Sequence, residues 1–271
     1  MTTSTVVRPV STVRIGVARI RLEVLMFFRN RQAAVFTFMF PVMLLLLFAT
    51  IFHGRIGTTG VDFRQYFLAG ITASGMISNS FNNLAIGMAV ERHTGMFKRL
   101  SGTPMPKAAF FIGKMGLTFV TTIVQTVLML TFGVVLYGLH LPVGAARWGV
   151  FLYVLFVGNI ACSLLGIAYS RLPKQANTAA AYVTPPYLFL QFISGIFFVI
   201  SDLPKGLQLI ASVFPMRWMA SLLRYAFLPG SFGVNEPGHG WRVGTGMAVI
   251  AGWMIVSFLL CVRSFRFNDD L

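Results

Sequence analysis

Six apolar stretches of about 20 residues constrain this chain most, because each can cross a hydrocarbon core of roughly 30 Å at about 1.5 Å per helical residue. They lie near 33–52, 66–90, 115–138, 148–168, 178–200 and 244–262. Of the 271 residues, 56% are hydrophobic and 11% charged, the composition of a polytopic membrane protein. The predicted fold is an all-α membrane protein with six transmembrane helices. Residues 1–32 form a cytoplasmic tail and interfacial helix, and 33–271 a single six-helix transmembrane domain.

The first stretch carries no charge, and neighbouring helices can absorb its Pro41. Arg8, Arg14, Arg19, Arg21, Arg29 and Arg31 precede it, as they would a signal peptide. Its length exceeds a signal core of about 7 to 15 residues, so it is expected to remain as an anchor.

Basic residues in short loops favour the cytoplasmic side. With both termini cytoplasmic, 15 of the 22 Lys and Arg fall inside. The net charge of +15 then matches anionic lipid headgroups, and no nucleic-acid partner is expected.

Residues 12–31 place Val13, Val17, Ile20, Val24 and Phe27 at helical spacing, which predicts an interfacial helix, with Arg19 and Glu23 off that stripe. Leu22, Leu25 and Met26 on the far side suggest contact with protein as well. Residues 203–227 are apolar enough to cross, but Pro215 interrupts them and Arg217 would lie near mid-membrane. Two short helices meeting near Phe214 and Pro215 are expected instead, dipping into the outer half of the bundle. The pair is either an outer gate or an amphipathic hairpin on the outer headgroups.

In the second span, Thr72, Ser74, Gly75, Ser78, Asn79, Asn82 and Asn83 gather into one arc, and Thr118, Thr122, Gln125 and Met129 share a face of the third. Gln191 follows the Pro185-Pro186 pair in the fifth. Such residues line a substrate path or join helices by hydrogen bonds, and both readings stand.

Catalytic chemistry is hard to place. No two carboxylates share a span, the four histidines are scattered in loops, and Cys162 and Cys261 show no metal-ligand or disulfide spacing. No metal site is expected. No G-x-x-x-x-G-K-[ST] phosphate loop occurs, so energy for uphill transport must come from a partner or an ion gradient.

The charged island Glu91–Pro104 separates two apolar runs. Thr94 is expected to cap a short helix in which Met96, Phe97 and Leu100 form an apolar edge beside Lys98 and Arg99, with Gly102 and Thr103-Pro104 ending it. That edge faces either a cytoplasmic partner or anionic lipid.

Here the chain resembles the ABC-2 type transporter permeases, membrane subunits of ATP-driven exporters. The resemblance rests on Glu91-Arg92, Gly95, Leu100 and Thr103-Pro104 after the second span, and on Leu203-Pro204, Phe214-Pro215 and Leu223-Arg224 before the last. It covers essentially the whole chain and is most similar to the daunorubicin-type drug-exporter branch. Thr94, Phe214 and Arg217 depart from residues frequent in the family.

The resemblance implies two permease chains, alike or paired with a sister chain, on two ABC-type ATPase subunits that bind ATP and Mg. No cofactor is expected in this chain, which is not itself an enzyme. It implies a coupling helix over 91–104, with Glu91, Arg92, Gly95, Met96, Phe97, Lys98, Arg99, Leu100, Thr103 and Pro104 contacting the ATPase. The outer gate would use Pro204, Phe214, Pro215, Arg217 and Arg224. A candidate path comprises Thr72, Asn79, Asn82, Asn83, Thr122, Gln125 and Gln191. The expected activity is export of a hydrophobic or amphipathic drug, lipid or glycolipid across a bacterial inner membrane. The rivals are a stand-alone secondary transporter or channel, and a lipid-modifying enzyme.

Overall fold

The computed structural model describes residues 11–52, 54–56, 60–103 and 105–264. Pro104 and the ends of both tails lie outside the described residues. The regular structure of the described residues is helical apart from a two-stranded antiparallel hairpin, β1 (Arg55–Ile56) and β2 (Val61–Asp62).

Among the described residues, four helices are long and apolar enough to cross a membrane. These are α2 (Arg31–Ile51), α6 (Lys107–Tyr137), a helix over Ala145–Tyr169 and α12 (Val243–Ser264). The third is built from α7 (Ala145–Tyr153), a π turn (Val154–Gly158) and α8 (Asn159–Tyr169). They coincide with the first, third, fourth and sixth predicted stretches.

The second stretch is realised as α3 (Phe63–Ile77), a π turn (Ser78–Asn83) and α4 (Leu84–His93). Its polar run SNSFNN occupies the wide turn. α3 is enclosed by the bundle, buried from Gln65 through Ile77. The fifth stretch gives α9 (Ala179–Ile193), which contains Pro185 and Pro186 and stops before Gly195 at φ 74°.

Residues 203–227 form α10 (Lys205–Val213) and α11 (Pro215–Phe227), bent by 96°. Pro215 begins α11, where its missing N–H costs nothing, and Phe214 in extended conformation makes the corner. The main core packs α3, α8, α9, α11 and α12 around Tyr66, Met76, Phe81, Met219 and Leu223.

α1 (Thr12–Arg29) forms as expected, but with a different inner face. Gly16, Arg19 and Glu23 are buried against α6, whereas Val13, Val17, Leu22, Leu25 and Met26 are exposed. The expected contact of Leu22, Leu25 and Met26 with protein is therefore not made; the charged line is the protein face. Small residues permit it: a Cβ on Gly113 would stand 2.3 Å from Arg19 Cγ, and one on Gly16 2.8 Å from Ile112 Cγ2.

Candidate functional site

Two charged clusters lie at opposite ends of α6, with a polar network between them. The first begins at the island. Gly95, at φ 74°, turns the chain from α4 into the short helix α5 (Met96–Ser101), a conformation that favours glycine. Thr94 caps the other helix from the one expected. It ends α4, its hydroxyl donating to Glu91 O at 3.1 Å, and makes no cap to α5. Thr103 closes α5 through its hydroxyl and Leu100 O at 2.7 Å.

α5 does not present its whole apolar edge outward. Phe97 is buried edge-on against Phe110, ring centroids 5.5 Å apart, while Met96 and Leu100 are half-buried and Lys98 and Arg99 exposed. The pattern of Met96, Phe97 and Leu100 could not distinguish a face turned to the bundle from one turned to a partner. Arg92 is half-buried at the end of α4.

The Phe110 ring also receives Arg19 and Lys114, each 5.6 Å from its centroid. Lys114 Nζ donates to Glu23 Oε2 at 2.9 Å and to Glu91 Oε1, and Arg19 donates to Glu23 Oε1 at 2.6 Å. One ammonium thereby joins α1, α4 and α6. Burial raises the Glu91 carboxyl above its ordinary value, opposed by the neighbouring Lys114 charge. Glu91 was the member found from sequence; Lys114 and the role of Glu23 were missed. Lys114 stands one residue before the third apolar stretch, beside Gly113, and a charge next to a close-approach glycine is the signal that could have exposed it.

The predicted path residues separate. Asn79 donates to Gln125 Oε1 at 3.3 Å, Gln191 donates to Ser74 Oγ, and Thr72 turns back on Leu68 O at 2.7 Å. Thr72, Thr122, Gln125 and Gln191 are buried between helices. Asn82 accepts from Thr184 at 3.4 Å, joining the π turn to α9. Asn83 is exposed, donates to Asn79 Oδ1 at 3.3 Å, and with Asn79 borders a cleft of about 620 Å³ that continues past Leu84, Gly87 and Glu91 to Lys114. This arrangement serves helix packing at Thr72, Gln125 and Gln191, and leaves Asn79 and Asn83 beside open space.

At the far end, Arg224 on α11 is fully buried. Its Nε donates to Glu236 Oε1 at 2.7 Å and its Nη1 to Gly195 O at 2.7 Å. The Tyr66 hydroxyl donates toward Gly195 O and Phe198 O, both at 2.8 Å, and Ser221 donates to Glu236 Oε2 at 3.2 Å. The cluster satisfies carbonyls freed where α9 stops, the condition for broken backbone inside a bundle. Arg217 is buried beside the Trp218 ring at 5.0 Å and donates to Gln208 O at 3.3 Å, bracing α10 on α11. Phe214 stacks on Trp253 at 5.8 Å, and Pro204 begins α10. Of the outer set, Arg224 anchors α9, Arg217 and Phe214 brace the corner, and Pro204 stands apart at its start.

Residues 18–228 match the ABC-2 type transporter family. The daunorubicin resistance ABC transporter permease protein DrrB1 of Streptomyces coeruleorubidus is 26% identical over 230 residues, 83% of this chain and 77% of that protein. The inner membrane transport permease YadH of Escherichia coli K12 is 21% identical over 226 residues, 82% and 84% of the two chains.

Proposed function

This chain belongs to the ABC-2 type transporter family as a multi-pass membrane permease subunit, and on that premise we propose that it exports a hydrophobic or amphipathic substrate. In this reading all six apolar stretches cross a bacterial inner membrane, both termini are cytoplasmic, and α10–α11 is an outer re-entrant pair. Two such chains, identical or sister proteins, sit on two ABC-type ATPase subunits that bind ATP and Mg.

The observation that carries the reading is the attachment of α5. A six-residue helix has little stability of its own, yet Phe97 plugs into Phe110, and Glu91 at the preceding helix end is ion-paired to Lys114. A push on the exposed Lys98 and Arg99 therefore reaches α4, α6 and α1 through buried contacts. Such a push does work only if the ATPase binds α5 differently in its two states. ATP binding shifts α5, the shift tilts α4 and α6, and the Arg224 cluster at the far end releases α9 to open the outward path. Hydrolysis resets the assembly.

Leu100→Asp together with Arg99→Glu tests the docking role without disturbing Phe97. The expected result is loss of co-purified ATPase while the chain remains folded. Unchanged co-purification and unchanged substrate-stimulated ATP hydrolysis overturn the assignment of α5.

A further inference from the structure

The cleft of about 620 Å³ opens between α1, α2, α4 and α6. Its walls are Phe27, Ala33, Leu84 and Leu117, its inner end is Asn79 and Asn83, and Glu23, Lys114 and Glu91 stand at the end nearest α5. An apolar cavity with a few convergent polar groups is the ordinary form of a small-molecule site. Charged residues inside membrane proteins commonly face such spaces.

Two observations make it a site of particular chemistry. The cation that lines the cleft is already engaged: Lys114 donates to both Glu23 and Glu91, and Glu23 also accepts from Arg19, which lies outside the lining. Both Glu23 oxygens are therefore taken, whereas Glu91 Oε2 is buried with no hydrogen-bond partner. Among the residues lining the cleft, the charged atom without a partner is this carboxylate oxygen, and a carboxylate disfavours an anion and favours an ammonium. In addition, Gly87 lies on the cleft wall with nothing within 4 Å of where its Cβ would stand. A bare helix face at that position keeps the space open.

We propose that this cleft binds an amphiphile bearing a protonated amine, with Glu91 receiving the ammonium, Asn79 and Asn83 meeting polar groups farther in, and the apolar walls covering its body. The proposal rests on the reading that this chain carries the substrate path. It places the bound amine on the carboxylate that Lys114 ties to α1 and α6, next to the turn into α5. Occupancy then alters the contact through which α5 is held. The amine belongs either to a free amphiphilic compound or to the headgroup of an amino-lipid.

The test uses the full-length chain in phosphatidylcholine nanodiscs, with no ATPase present and empty discs subtracted. The probes are a fluorescent dodecylamine with a free ammonium and its N-acetylated twin, which keeps the apolar body and loses the charge. The ammonium probe is expected to bind about tenfold more tightly, the least that one charge-assisted hydrogen bond supplies. Glu91→Gln should erase that preference. Gly87→Phe should fill the cleft and weaken both probes while the melting temperature holds.

Equal binding of the two probes to the unaltered chain overturns the proposal, as does a full ammonium preference in Glu91→Gln. If Glu91→Gln does not fold, Gly87→Phe decides alone, and undiminished binding to that folded variant overturns the proposal. Competition by phosphatidylethanolamine in the discs assigns the site to an amino-lipid, and its absence to a free amine; both results keep the site. No transport or ATP hydrolysis enters the measurement, so its failure leaves the permease reading standing.

Discussion

Lys114 on α6 donates from one Nζ to Glu23 of α1, at 2.9 Å, and to Glu91 of α4. The cluster joins α1, the end of α4 and α6 where the chain enters α5. A buried ion cluster is weak evidence for stability, since desolvation offsets much of the attraction. Its consequence is geometrical: α1, α4 and α6 move together or the charges separate.

Removing the centre of the cluster should cost more than removing the cluster. Lys114→Met leaves buried Glu23 and half-buried Glu91 without their shared cation and is expected to lose about 3 kcal/mol. The fourfold change Arg19→Met, Glu23→Gln, Lys114→Met and Glu91→Gln, which strands no charge, should recover much of that. Thermal unfolding in detergent measures both, and equal losses would show that the four charges do not act together.

The close approach of α1 to α6 makes a second prediction. A Cβ on Gly113 would lie 2.3 Å from Arg19 Cγ, so Gly113→Ala must displace the helices. The expected loss is about 1 to 3 kcal/mol, typical of overpacking. Greater protease access to α1 should accompany it, and an unchanged melting temperature would contradict the packing.

Gly95 holds φ 74° between α4 and α5. Gly95→Ala should cost about 1 to 2 kcal/mol of backbone strain locally, loosening Phe97 from Phe110. Faster hydrogen exchange over α5, with α6 unaffected, is the expected reading.

At the far end, Arg224→Met should leave buried Glu236 without its cation and Gly195 O with Tyr66 alone, and cost about 3 to 5 kcal/mol. Exchange protection at residues 193–200 should fall first, because Arg224 and Tyr66 both bind the carbonyl of Gly195. Protection lost uniformly across the bundle would mean that the cluster does not act as a local latch on α9.

Burial raises the Glu91 carboxyl above its ordinary 4.5. A carboxyl so raised binds its proton more tightly folded than unfolded, so its contribution to stability falls as pH rises through the window above about 4.5. The melting temperature of Glu91→Gln should therefore depend less on pH there than that of the unaltered chain. Parallel pH profiles for the two would contradict the burial of Glu91.

Apolar length alone revealed α2, α6, the helix over 145–169 and α12, because crossing a bilayer demands it. The corner at Phe214-Pro215 was also legible, since Pro at the start of a helix and Arg217 in an apolar run leave few alternatives. The break at Gly195 was not, because it depends on Arg224 and Tyr66 arriving from distant segments to take its carbonyl. For the same reason α1 was assigned its helix correctly and its inner face incorrectly. Periodicity sorts apolar from polar residues, and the α1–α6 contact is held by charges over glycines. The packing of Phe97 on Phe110 was not legible either, because Phe110 follows the turn that α5 itself creates.

Transport by this chain should depend on an ATPase that drives it. Proteoliposomes containing the chain with its ATPase should move a fluorescent amphiphile in an ATP-dependent manner, and Arg99→Glu with Leu100→Asp should abolish that movement. Proteoliposomes containing the chain alone should move none. Undiminished, ATP-independent transport by the chain alone would contradict the account.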